Sequence, residues 1–105
     1  MTTSRQKAIG SAAERRVAEL LHGRRVGMDG GPVDVIVDGY LDVQVKNVRT
    51  PPAPRAVAAM LAAMPKGDRM RAVVVIERAG SGRRGMRTIT FDLDDWVEWH
   101  VEGER

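Results

Sequence analysis

The chain contains no cysteine, which excludes disulfides and thiolate metal sites and is compatible with a reducing interior. No apolar run approaches a membrane span and no signal-peptide core follows the N-terminus. A soluble, intracellular (cytoplasmic) protein with no membrane partner is therefore expected. The glycines lack a strand-to-helix phosphate-binding context, so Gly80, Ser81, Gly82, Arg83, Arg84 and Gly85 read as a flexible basic loop and not as a nucleotide loop. Lysine is scarce: three against fourteen arginines, an excess that suits phosphate recognition and equally a GC-rich genome.

What is present is enough Ala, Val, Leu, Ile and Met for one core in a single domain of 105 residues, at the small end for a sheet with helices, where a partner subunit can supplement the core. The net charge of +3 conceals an asymmetry. From Asp92 onward six acids and one Arg give −5, leaving +8 for the preceding residues. A basic body with an acidic tail points to a polyanionic partner docking on the body.

The most informative stretch is Gly31 to Asn47, GPVDVIVDGYLDVQVKN. Val33, Val35 and Val37 alternate before an Asp-Gly turn signal, and Leu41, Val43 and Val45 alternate after it, which predicts a hairpin. A two-residue Asp-Gly loop would oppose valines with polar residues. A loop of odd length, with Gly39 at a left-handed bulge position, aligns all six aliphatics on one face. Asp34, Ile36, Asp42, Gln44 and Lys46 then share the other face. That face is either the solvated outside of a hairpin or a site whose charges are paired or bound to a cation.

Thr2, Thr3 or Ser4 caps a helix running to about His22, with Ile9, Ala13, Val17, Leu20 and Leu21 as its apolar stripe and Glu14 on the border. Gly10 inside it costs about 1 kcal/mol relative to Ala, a sign of close backbone approach. His22 with Gly23 ends the helix. Arg24 to Met28 reads as a short strand, and Asp29, Gly30, Gly31 and Pro32 as a turn. A proline-rich linker from Thr50 to Pro54 precedes a helix over Arg55 to Met64. Ala72 to Ile76 is a strand covered on both faces, and Met86 to Phe91 is a further strand. The last helix starts at Asp92, with Asp95 completing its cap. Leu93, Trp96, Val97 and His100 are expected to face inward, leaving Trp99 at the edge as a subunit contact or plain core.

Gly10 and Glu14 on the first helix, Pro32-Val33-Asp34 at a strand, and Gln44-Val45-Lys46 on the next strand before a helix resemble the PD-(D/E)XK nuclease superfamily. Within it the chain is most similar to archaeal-type Holliday junction resolvases. The likeness covers Lys7 to Asn47, extends loosely through Ala72 to Ile76, and leaves the C-terminal helix unmatched. It implies an α/β fold with a restriction-endonuclease-like core, a central mixed sheet flanked by helices, and the elements read along the chain run in the order α-β-β-β-α-β-β-α. It also implies a metal-dependent endodeoxyribonuclease of DNA recombination and repair, a homodimer cutting branched or structured DNA.

By this resemblance Glu14, Asp34, Gln44 and Lys46 are the catalytic set, and Glu14, Asp34, Gln44 and the Val45 carbonyl hold Mg²⁺ or Mn²⁺. Phosphodiester hydrolysis needs an activated water and charge relief at phosphorus, and such ions take hard oxygen ligands. Lys46 would orient the water or stabilise developing charge. Arg15, Arg16, Arg49, Arg83 and Arg84 are the candidates for gripping backbone phosphates. Gln44 departs from the pattern, being a neutral amide where the family has an acid, with Asp42 as a candidate displaced acid. The alternative is a catalytically degenerate nucleic-acid-binding or protein-interaction module on the same fold.

Overall fold

A computed structural model describes residues 4–26, 31–80 and 84–103, with side chains of the first helix described from residue 10 onward. In chain order the elements are α1 (Ser4–Leu21), β1 (Arg24–Arg25), β2 (Val35–Val37), β3 (Leu41–Val48), α2 (Pro54–Ala63), β4 (Met70–Glu77), β5 (Arg87–Phe91), α3 (Leu93–Val97) and a π-helical turn (Glu98–Glu102). The five strands form one open mixed sheet in sequential order. β3 and β4 run parallel and the other neighbours antiparallel. Parallel pairing demands a crossover, which the proline-rich linker and α2 supply; Pro54 stands in the first turn of α2, where a missing N–H costs nothing.

The hairpin pairs Val35 with Val43 and Val37 with Leu41 across a three-residue loop, and Gly39 takes φ +73°. The odd loop and left-handed glycine are those the alternation demands. Val35, Leu41 and Val43 are buried with Val17 and Ala18 of α1 and with Met70, Ala72 and Val74 of β4, while Val37 and Val45 pack on that cluster. On the other face Val57, Leu61 and Met64 bury Val73 and Val75. Each fully buried Val, Leu or Met contributes roughly 1.5–3 kcal/mol, so α1 and α2 are held by the two faces of β4. The run 72–76 of β4, covered on both faces, is accordingly apolar.

Several expectations are corrected. Val33 packs with the α2 cluster and not with the other five aliphatics, because β2 begins only at Val35 and the residues before it lie outside the regular pleat. The face carrying Asp42, Gln44 and Lys46 is no solvated exterior: its β4 neighbours are Arg71, Val73 and Val75, and α2 lies over it. A Cβ at Gly10 would meet nothing within 4 Å, so close approach does not explain that glycine. Close approach does explain Gly23, where a Cβ would lie 2.7 Å from the Ile36 carbonyl oxygen, while His22 itself takes the left-handed turn at φ 56°. Leu20 on the predicted stripe is 46% exposed. The first strand is only Arg24–Arg25; Met28, Asp29 and Gly30 fall outside the described residues, as do Thr2 and Thr3.

The last helix is turned from its expected orientation. Asp92 caps it by accepting from the Asp95 N–H at 3.1 Å, as the acidic pattern predicts. Yet Leu93, Trp96 and His100 are exposed, and Trp99 packs on the α1-side cluster, edge-on to Tyr40 with ring centroids 5.5 Å apart. α3 lasts five residues before the wider π turn begins at Glu98, and a wheel of about 100° per residue fails across that change of pitch. Asp95 is buried and accepts two hydrogen bonds from Arg71, at 2.9 and 3.1 Å; Arg71 also donates to the Leu61 carbonyl. One arginine thus ties β4, α2 and α3 together.

Candidate functional site

Asp34 stands where β2 and β3 part. Its N–H donates to the Val43 carbonyl and its carbonyl accepts from the Val26 N–H, each at 2.8 Å, so its backbone spans three strands. Val45 has the same parity as Val43 and therefore turns its N–H toward β2. No β2 carbonyl remains there. The Asp34 carboxylate takes that N–H instead, at 2.8 Å. The Val45 carbonyl, on the same edge of its strand, faces the same gap.

Glu14 reaches this gap from the α1 side, and Lys46 from the α2 side. Burial pushes the Asp34 carboxyl above its ordinary value; the Val45 N–H pulls it back, Glu14 raises it further, and Lys46 and Arg25 lower it. A second carboxylate, an ammonium and a guanidinium thus lie near enough to act on this one half-buried acid. Gln44 shares the face of Lys46, beside Val73, and its side chain makes no hydrogen bond among the described residues.

Arg25 is absent from the sequence-derived set. It lies opposite Val35 and so projects on the α1 side, where its guanidinium meets Glu14 at 3.2 Å and Ser11 at 3.5 Å. Its Nε is buried with no hydrogen-bond partner among the described residues. The one sequence signal is the Arg24-Arg25 pair directly after the helix: alternation sends Arg24 outward to Asp38, at 3.1 Å, and Arg25 inward.

Asp42, the candidate displaced acid, is held by a partner of its own. It is 7% exposed and accepts from Arg69 at 2.7 Å, one pleat beyond Gln44 toward the hairpin loop, so its charge is already matched. Of the arginines expected to grip phosphates, Arg15, Arg16, Arg49 and Arg84 are exposed, and Arg83 lies outside the described residues. Arg16 pairs with Glu19 at 3.3 Å, whereas Arg15, Arg49 and Arg84 form no ion pair among the described residues.

No family model, curated protein or solved structure matches this chain. No group of three or more His, Cys, Asp or Glu able to hold an ion exists among the described residues. Two acids are present, and any further oxygens must come from the Val45 backbone and the Gln44 amide. An oxygen-only set with two carboxylates that repel one another suits a hard divalent cation that keeps several of its waters. Arg25 already supplies positive charge to Glu14, which marks the same need.

Proposed function

We propose that the chain is a metal-dependent DNA endonuclease that hydrolyses phosphodiester bonds, with branched or otherwise structured DNA as its substrate. The observation that carries this reading is the half-buried Asp34 carboxylate, fastened to the Val45 N–H and flanked by Glu14 and Lys46 from opposite faces of the sheet. Folding gains little from crowding two acids into a partly desolvated gap, and an acid perturbed by burial beside a second acid is a mark of chemistry.

Glu14, Asp34, the Val45 carbonyl and the Gln44 side-chain oxygen would hold Mg²⁺ or Mn²⁺. When bound, such an ion acidifies a water and offsets charge at phosphorus. Lys46 carries a proton-rich cation to the same gap, where it orients the attacking water and balances developing negative charge on the phosphate. Asp34 anchors the geometry, because its carboxylate is fixed by a backbone N–H and keeps its rotamer without substrate. The exposed Arg15, Arg49 and Arg84 have charge to spend on backbone phosphates, which binds DNA without reading sequence.

A second reading has its own support. Arg25 on Glu14 and the neutral Gln44 together reduce the charge available to an ion, as a module that binds DNA without cutting it would allow. Supercoiled plasmid and a synthetic four-way junction, each incubated with Mg²⁺, Mn²⁺ or EDTA, separate the two. Cleavage that needs metal and disappears in Asp34→Ala and Lys46→Ala supports the nuclease; retention of the junction with no cut in any metal supports the module.

A further inference from the structure

β5 is the last strand of the open sheet, and its outer edge has no partner strand among the described residues. The Glu77 N–H donates to the Met86 carbonyl at 2.8 Å, so Met86, Thr88 and Thr90 turn their backbone groups toward β4. Arg87, Ile89 and Phe91 therefore present theirs outward. An exposed edge of β-branched residues is a template for another strand, and this one carries neither a proline nor a lysine to blunt it.

Apolar surface gathers along the same edge. Ile89 and Leu20 are 41% and 46% exposed and border a groove of about 210 Å³ with Val17, Leu21, Val74 and Ile76. On the opposite face Met86, Thr88 and Thr90 border a second groove of about 260 Å³ under the proline linker. Charge is distributed unevenly along the strand. Arg84 and Arg87 stand at its start, Asp92 and Asp94 just past its end.

The geometry points to a two-fold dimer in which β5 pairs antiparallel with β5 of a second copy, Ile89 opposite Ile89 on the axis. That register makes Arg87, Ile89 and Phe91 the hydrogen-bonded positions, for roughly six backbone hydrogen bonds. It sets Thr88 against Thr90 of the other copy and brings Leu20 and Ile89 of both copies together over the first groove. It also lays the basic start of each strand beside the acidic end of the other, so the edge is complementary to itself and to no uniformly charged partner. This inference is independent of the nuclease reading.

The test is the mass of the full chain in solution, by sedimentation velocity over a wide concentration range. The wild type is expected at twice its 11.5 kDa. Ile89→Pro removes an outward N–H and the apolar side chain on the axis, leaves the groups facing β4 in place, and is expected to weaken dimerisation at least about tenfold, with circular dichroism verifying that the chain stays folded. Charge variants test the register without touching the ladder. A chain with Arg84→Glu and Arg87→Glu, and another with Asp94→Lys, are each expected to be monomeric alone and to form a heterodimer on mixing, because only the mixed pair opposes unlike charges at both ends. A wild type that stays monomeric, or a dimer that tolerates Ile89→Pro and both charge variants, overturns the proposal.

Discussion

Arg25→Met tests whether the gap between β2 and β3 is built for a cation. The guanidinium lies 3.2 Å from Glu14, with side-chain exposures of 29% and 24%. A hydrogen bond between charged groups is worth about 1.5–3 kcal/mol net, and partial exposure places this one at about 1.5 kcal/mol. At roughly 4–8 °C per kcal/mol for a domain of this size, the variant should melt about 6–12 °C below the wild type in EDTA. A divalent ion at a hundredfold excess over its dissociation constant stabilises the folded state by about 2.7 kcal/mol. The gain should be larger in the variant, where no internal cation competes for Glu14. Thermal melts followed by circular dichroism, in EDTA and in Mn²⁺, should therefore show the deficit narrowing or reversing with the ion. If the variant melts with the wild type in EDTA, Glu14 does not depend on Arg25; if Mn²⁺ moves neither melt, the gap holds no cation.

Asp34→Asn keeps an acceptor for the Val45 N–H but removes the charge, and should stabilise the chain at neutral pH by on the order of 1 kcal/mol while abolishing the Mn²⁺-dependent rise in Tm. The sign follows from the raised carboxyl: the folded state holds this proton more tightly than the unfolded chain, so its contribution is complete at low pH and declines as pH rises through the raised value. A variant less stable than the wild type at pH 7 would contradict this. Asp95→Asn leaves Arg71 buried without its charge partner and should cost about 3 kcal/mol, or about 12–24 °C in Tm. Arg71 holds the Asp95 carboxyl below the usual carboxylate range, so this stabilisation is lost as pH falls through the lowered value, and urea melts of the variant should show a shallower acid limb than the wild type.

The hairpin register, the buried run of β4 and the acidic cap of the last helix were legible in the chain itself, since each depends on alternation or spacing between near neighbours: Val35 against Val43, the run through Val75, Asp92 to Asp95. The partnership of Asp34 with Glu14 and Lys46 was legible only as a set of residue types on the right elements. Which charges are spent elsewhere was not legible. Asp42 belongs to Arg69, Asp95 to Arg71 and Glu14 to Arg25, at separations of 27, 24 and 11 residues. Nothing in the local pattern of either partner announces the other. Val33 left its five aliphatic companions because β2 begins only at Val35, and Trp99 packs against the core where Trp96 was expected because a π turn changed the helical pitch. Local periodicity reports the direction in which a side chain leaves a regular element; where that element ends, and what it meets beyond, is decided by packing against the rest of the molecule.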